Sequence, residues 1–173
     1  TIVGLPDKAV SEASERVTAA VKNSGYHFPN RRITINLAPA DVRKEGSGFD
    51  LPIALGVICE GGQINPGMLA DHLFIGELSL DGKLRPVKGA LPIALEAKRH
   101  GLKGMIVPEE NAREAAMVEG IDVFPMSTLQ EVVDFLNNGG GLEPFRVDLK
   151  EIFNVDQKNI VDFADVKGQH EVK

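Results

Sequence analysis

The stretch that most constrains the fold of this chain is residues 74–111, FIGELSLDGKLRPVKGALPIALEAKRHGLKGMIVPEEN. Two apolar runs with strand-forming side chains, residues 73–80 and 84–87, flank Asp81-Gly82, a dipeptide typical of a two-residue hairpin turn. Pro86 has no N–H to donate to a ladder, so the second strand should end there or lie at a sheet edge. We therefore predict an antiparallel hairpin over residues 73–87 with Gly82 at positive φ.

A helix and a buried strand are predicted to follow this hairpin. Residues 89–100 carry apolar side chains at helical spacing, with three basic residues in the last turn, where cations suit the helix dipole. Gly101 follows as a typical residue after a helix C-terminus. Residues 105–107 are wholly apolar and end at Pro108, a pattern that favours a strand buried on both faces.

The rest of the chain alternates helices and strands. Apolar spacing predicts helices over residues 7–24, 51–58 and 109–119, strands over residues 1–3, 31–37 and 121–126, and a last helix that starts at a capping box over residues 127–130. Three consecutive glycines then interrupt the pattern. We predict a first domain over residues 1–137, followed by a glycine-rich break and linker over residues 138–160 that can lie against another surface.

Composition excludes several classes of function. A net charge of −6 argues against a nucleic-acid scaffold held by bulk positive charge, although it allows a local basic patch. Cys59 is the single cysteine, which excludes a disulfide framework. No apolar run reaches the length of a membrane span. We expect a cytoplasmic protein that does not enter a membrane.

The loop over residues 43–50, RKEGSGFD, lies between a predicted strand and an apolar helix, where backbone amides can receive an anion. The phosphate-loop pattern G-x-x-x-x-G-K-[ST] is absent from the chain. Ser47 lacks the G-x-S-x-G frame of a nucleophile elbow, and the four histidines lie far apart in sequence. The residues by themselves therefore predict no catalytic group and no metal site.

Four segments nevertheless carry a specific resemblance: VGLPDKAVSEASERV, FPNRRITINLAPAD, KEGSGFDLPIALG and GELSLDGKLRPVKGALPIA. They resemble the N-terminal domain of the ComM family, bacterial magnesium-chelatase-like AAA+ proteins that are also labelled YifB or ChlI-like. The match covers residues 1–137 and lacks only the first strand. Residues 162–169, DFADVKGQ, resemble the opening of that family's ATPase module. We therefore expect residues 161–173 to begin a AAA+ module whose Walker A loop lies beyond them.

This resemblance implies an ATP-driven ring, expected to be a hexamer, that acts on DNA by branch migration of recombination intermediates during natural transformation. ATP and Mg²⁺ would bind the AAA+ module, so the present chain would be a non-catalytic part of an ATPase and helicase. It would contribute to ring assembly and DNA contact. A magnesium-chelatase-like chaperone is a more distant alternative, because the sequence offers no His or carboxylate cluster to hand over the ion.

The same stretch resembles the proteolytic domain of Lon and the C-terminal domain of RadA. This implies an α/β (α+β) fold of the ribosomal protein S5 domain 2-like or Lon protease C-terminal-like type, with a mixed sheet of five or six strands and helices mainly on one face. Alignment on the hairpin places Gly48 at the Lon serine, and Leu91 and Ile93 at its helix lysines. A hydrolase that uses Ser47, with Lys44 or Lys88 as base, stays open as the alternative.

The resemblance also suggests where DNA would be contacted. In a Lon-like fold the loop over residues 43–50 (the glycine loop) and the hairpin are neighbours. The best concentration of positive charge in the chain lies in and around them: Arg43, Lys44, Lys83, Arg85 and Lys88. Such a patch would bind phosphates weakly, independently of sequence and in a salt-sensitive way. The competing interpretation is that these cations are ordinary solvated charges, or pair with Glu45 and Glu77.

The missing phosphate loop generates the first prediction. The 173-residue chain should not bind ATP, because no Walker A lysine and hydroxyl are available to hold the phosphates and Mg²⁺. Isothermal titration calorimetry with and without Mg²⁺ should give no heat above dilution. Micromolar, Mg²⁺-dependent binding would contradict it.

Overall fold

A computed structural model describes residues 2–3, 7–31, 33–36 and 47–147. The described helices are α1 (Asp7–Asn23), α2 (Asp50–Glu60), α3 (Ala90–Arg99), α4 (Ala112–Ala115) and α5 (Leu129–Asn137). The described strands are β1 (Ile2–Val3), β2 (Ile35–Asn36), β3 (His72–Phe74), β4 (Glu77–Leu78), β5 (Leu84–Arg85), β6 (Gly104–Pro108) and β7 (Asp122–Met126). The α/β class expected from the sequence is confirmed.

Strand β6 forms the centre of a three-stranded parallel sheet in the order β3-β6-β7. All five of its residues are buried, as the wholly apolar run predicted. Ile106 packs into a hydrophobic cluster with α1, α2 and α5. Met105 and Val107 point into a second cluster with α3 and α4. We expected helices mainly on one face, but in the described part of the chain they cover both faces of this sheet.

The other described strands form two separate pairs, parallel β1-β2 and antiparallel β4-β5, where we expected one mixed sheet of five or six strands. The antiparallel hairpin and the positive φ of Gly82, 83°, are both confirmed. The hairpin starts later than predicted, because Leu73 and Phe74 pair with β6 instead. Gly76 ends that strand: its N–H donates to the Gly48 carbonyl and its carbonyl accepts from Leu51, so both groups bond the start of α2.

Two helix starts differ from the sequence prediction. A 3₁₀ turn (Glu109–Asn111) precedes α4, which ends at Ala115, well before residue 119. The buried Asn111 amide bonds both backbone groups of Val87, so it fixes this turn to the hairpin. The capping box of α5 lies one residue later than predicted, since the Thr128 hydroxyl accepts from the N–H of Glu131 at 3.2 Å.

The described part of the predicted linker, residues 138–147, returns to the central sheet. The Phe145 N–H donates to the carbonyl of Val123 in β7 at 2.8 Å, and Arg146 pairs with Asp122 at 2.6 Å. These contacts bring the chain back to the edge of β7 after the glycine-rich break. Residues 148–173, including the predicted start of a AAA+ module, lie outside the described residues.

A pair of glycine substitutions tests this packing. A Cβ on Gly104 would lie 3.0 Å from the Asp122 carbonyl oxygen and from Phe124, and closer still to the His72 ring, whereas a Cβ on Gly56 in α2 meets nothing within 4 Å. Gly104→Ala should lower the free energy of unfolding by about 1–3 kcal/mol through overpacking. Gly56→Ala should raise it by about 0.5–1 kcal/mol, because alanine loses less backbone entropy in a helix. Urea unfolding midpoints at unchanged m-value measure both, and effects of equal sign would contradict the described packing.

Candidate functional site

Residues 47–49, which directly precede α2, lie against the β4-β5 hairpin. The Gly76 N–H donates to the Gly48 carbonyl at 3.2 Å, and the Leu51 N–H donates to the Gly76 carbonyl at 3.1 Å. A Cβ on Gly48 would already touch Cγ1 of Val87 at 3.4 Å. The neighbourhood of loop and hairpin expected from the Lon-like fold is therefore present in residues 47–51 and 76–87.

A buried ion pair fixes this arrangement. Nε and Nη2 of Arg16 in α1 lie 2.8 and 3.0 Å from the two carboxylate oxygens of Asp50, the first residue of α2. Asp50 is 1% exposed and also accepts a hydrogen bond from the N–H of Leu78 in β4 at 3.3 Å. The hydrogen bond to Asp50 raises the pKa of Arg16 against the opposing effect of burial. One carboxylate therefore joins α1, α2 and the hairpin.

Sequence reasoning missed this pair. The apolar spacing of the helix predicted over residues 7–24 assigns its charged residues, including Arg16, to solvent. Asp50 is the last residue of the loop over residues 43–50. The only local signal is a single acidic residue at the start of a helix that is otherwise almost wholly apolar. Such a residue is often only a favourable charge at the helix N-terminus, so its buried partner was not visible.

The Ser47 side chain is hydrogen-bonded to a carboxylate. Its hydroxyl donates a hydrogen bond to Oε2 of Glu77 in β4, and both residues are partly buried. Among the described residues no amine bonds Ser47; Lys88 is exposed, and Lys44 lies outside them. Leu91 and Ile93, which the resemblance aligns with the Lon lysines, pack against the cluster of α3 and α4. The described geometry therefore offers Ser47 no lysine base.

A groove of about 520 Å³ between β2 and α2 passes close to this loop. Its wall is mainly apolar, including Phe49 and Ile53, and Arg31 and Glu60 form an ion pair at its rim. Ser47 does not line the groove. A ligand bound there would thus not be presented to the serine hydroxyl.

The first of the hairpin cations is partly neutralised. Nζ of Lys83 lies 3.3 Å from Oδ2 of Asp81 in the turn. The Ser79 hydroxyl and the N–H of Lys83 also donate to this carboxylate, and these bonds lower the pKa of Asp81 to about 2. Asp81 therefore stays ionised beside Lys83 at neutral pH. Both side chains are more than half exposed, so the attraction is weak.

Arg85 and Lys88 are exposed, and neither has an acidic partner among the described residues. Lys83 and Arg85 lie two positions apart with buried Leu84 between them, so both project from the outer side of the hairpin. Two of the five predicted DNA-contacting residues, Lys83 and Arg85, thus lie on the hairpin, and Lys88 follows β5 by three residues. Arg43 and Lys44 lie outside the described residues, and a DNA contact by any of the five stays a prediction.

Two other types of site are not found in the part of the chain that the structure describes. Within it, His, Cys, Asp and Glu side chains do not gather in groups of three or more that could hold a metal ion. Within the same residues, no helix combines the length and the apolar character that a membrane crossing requires.

Comparison with known proteins supports the resemblance carried by the four sequence segments. The family described as Subunit ChlI of Mg-chelatase matches residues 1–111. The competence protein ComM of Haemophilus influenzae is 41% identical over 174 residues, which cover 100% of this chain and 34% of ComM. The YifB protein of Salmonella typhimurium is 42% identical over 174 residues, which cover 100% of this chain and 33% of YifB. The chain therefore spans about a third of the length of these relatives.

A more distant match supports the fold. The archaeal Lon protease of Methanocaldococcus jannaschii is 29% identical over 119 residues, which cover 67% of this chain and 18% of the protease. Together with the observed α/β architecture, this similarity confirms the Lon/ChlI-like fold predicted from the sequence.

Replacement of Asp50 by alanine tests whether its carboxylate holds α1, α2 and the hairpin together. Asp50→Ala should lower the free energy of unfolding by about 3 kcal/mol, because it leaves the Arg16 guanidinium and the Leu78 N–H without their buried acceptor. Glu96→Ala is the matched control, since Glu96 also pairs with an arginine, Arg99, but both side chains are more than half exposed. That control should cost about 0.5 kcal/mol or less. Equal losses for both variants in urea unfolding would contradict the role assigned to Asp50.

Proposed function

Because the chain belongs to the family of the ChlI subunit of Mg-chelatase, as the N-terminal domain of a ComM/YifB-type protein, we propose that it is a non-catalytic module of a AAA+ ATPase that acts on DNA. In this proposal the chain contributes to ring assembly and contacts the phosphate backbone. ATP and Mg²⁺ bind a different part of the protein, which forms a hexameric ring in the bacterial cytoplasm. The ring drives branch migration of recombination intermediates, a role compatible with its similarity to a competence protein.

The observation that carries the DNA contact is that Arg85 in β5 and Lys88, three residues further along, have no acidic partner among the described residues. The hairpin that bears Arg85 is held in place by backbone hydrogen bonds. The N–H of Leu84 donates to the Ser127 carbonyl at 2.8 Å, and the N–H of Leu129 donates to the Gly82 carbonyl at 2.8 Å. A backbone fixed in this way loses less freedom when a phosphate binds. A guanidinium and an ammonium group both bind phosphate without reading bases, so the contact is independent of sequence.

The acidic balance of the chain limits the strength of this contact. A net charge of −6 repels a polyanion at long range, so binding depends on the local field of the hairpin. Lys83 adds less than Arg85 or Lys88, because Asp81 lies beside it. We therefore propose that the chain adds orientation and salt sensitivity to a complex whose main energy comes from the rest of the ring.

The serine hydrolase alternative receives no support from the described geometry. A serine nucleophile needs a base within hydrogen-bond reach, and here the Ser47 hydroxyl is bonded to a carboxylate with no lysine in contact. A fluorophosphonate probe that labels the chain, but not its Ser47→Ala variant, would favour the hydrolase over the proposed module.

Charge reversal in the full-length protein tests the DNA contact. Lys44→Glu combined with Lys88→Glu should weaken DNA binding and reduce the slope of log affinity against log salt by about one for each lost phosphate contact. Arg99→Glu is the control, because Arg99 is exposed, as Lys88 is, but lies at the end of α3 beside Glu96. It should leave the slope unchanged.

Two results of the double reversal would contradict the proposed DNA contact. If the double reversal binds DNA with unchanged affinity and unchanged slope while the ring still assembles, Lys44 and Lys88 do not contact DNA. Loss of ring assembly in the same variant would instead assign these residues to a contact between subunits.

A further inference from the structure

The register of the hairpin sets an acid opposite an arginine. Glu77 in β4 is the direct cross-strand partner of Arg85 in β5. Directly opposed residues of an antiparallel pair have Cβ atoms about 5 Å apart on the same face, and opposite charges there normally attract. Yet the Glu77 carboxylate accepts a hydrogen bond from Ser47, and Arg85 has no acidic partner among the described residues.

A second arginine, Arg16, helps to explain why Glu77 bonds Ser47 and not Arg85. Glu77 raises the pKa of Arg16 through its negative charge, a smaller contribution than that of Asp50, so it lies within the field of that guanidinium. Arg16 cannot take over the carboxylate readily, because its Nε and Nη2 already bond both oxygens of Asp50. Ser47 therefore supplies the direct hydrogen bond that orients Glu77, and Arg16 supplies a favourable charge on the same side.

From this arrangement we propose that Ser47 is a positioning residue: its hydroxyl holds Glu77 away from Arg85, so that the Arg85 guanidinium stays available to a phosphodiester backbone. The inference rests on the proposed DNA contact and names the group that regulates it. Without the hydroxyl, Glu77 turns to its cross-strand partner and competes with phosphate for the guanidinium, which can bind either oxyanion through two N–H groups.

The expected effect is modest, because the competing pair is solvent-exposed on the arginine side. Exposed ion pairs change an equilibrium by about two- to five-fold. Ser47→Ala in the full-length protein should therefore weaken binding of a DNA duplex by about two- to five-fold. It should also lower the salt slope by up to about one, since one phosphate contact is lost in part.

A cycle with Glu77→Gln separates positioning from a general structural effect. Glu77→Gln should bind DNA at least as tightly as the wild type, because the competing charge is gone. Ser47→Ala combined with Glu77→Gln should match Glu77→Gln alone, since no carboxylate remains to block Arg85. Ser47→Thr, which keeps the hydroxyl, should bind like the wild type.

Arg85→Gln makes failure of this inference distinguishable from failure of the proposed function. If Arg85→Gln binds DNA with wild-type affinity and slope, Arg85 does not contact DNA. The proposed contact at Arg85 and the positioning role of Ser47 are then both wrong. If Arg85→Gln weakens binding but Ser47→Ala does not, the DNA contact stands and the positioning role is overturned. The positioning role is also overturned if Ser47→Ala weakens binding equally in the presence of Glu77→Gln.

The inference can still be tested if the Ser47→Ala variant fails to fold. Glu77→Gln alone carries a prediction that does not depend on the alanine variant: weaker binding than the wild type would overturn the inference even if Ser47→Ala fails to fold. Thermal unfolding of each variant, measured on the same samples, confirms that the affinities compare folded proteins.

Discussion

The buried carboxylate of Asp50 is the constraint on which the rest of the site depends. An ionised group that is almost completely removed from water is tolerated only when its oxygens are satisfied. Arg16 and the Leu78 N–H meet this demand from two different elements, α1 and β4. The start of α2 therefore keeps one position relative to both. Residues 47–49, which directly precede α2, contact the hairpin as a consequence.

The charged residues near this contact between the start of α2 and the hairpin differ in how far they are neutralised. The Ser47 hydroxyl donates to Glu77, and Lys83 pairs with Asp81 in the turn. Arg85 is exposed and has no acidic partner among the described residues. The same contact places Gly48 against Val87. Leu91 and Ile93, which the resemblance to Lon aligns with its helix lysines, pack against the cluster of α3 and α4. A shared fold carries no activity without the reacting groups.

Local patterns were reliable where a single residue type has a single conformational role. Gly82 and Gly101 both take the positive φ that their turns require, 83° and 71°. The Asp81-Gly82 turn and the apolar run of β6 were therefore predictable, because each depends on neighbours in sequence. The resemblance to ComM and Lon supplied the proximity of loop and hairpin, which spacing alone would not have given.

What the sequence determined by itself is thus the hairpin, helix α3 and the doubly buried strand β6. Only the tertiary structure decided that Leu73 and Phe74 join the parallel sheet, and that Arg16 turns to Asp50, 34 residues away. The apolar periodicity of α1 assigns any charged residue to solvent. A partner across the fold reverses that assignment, because a bidentate ion pair with a further hydrogen bond offsets the cost of removing Asp50, and most of Arg16, from water.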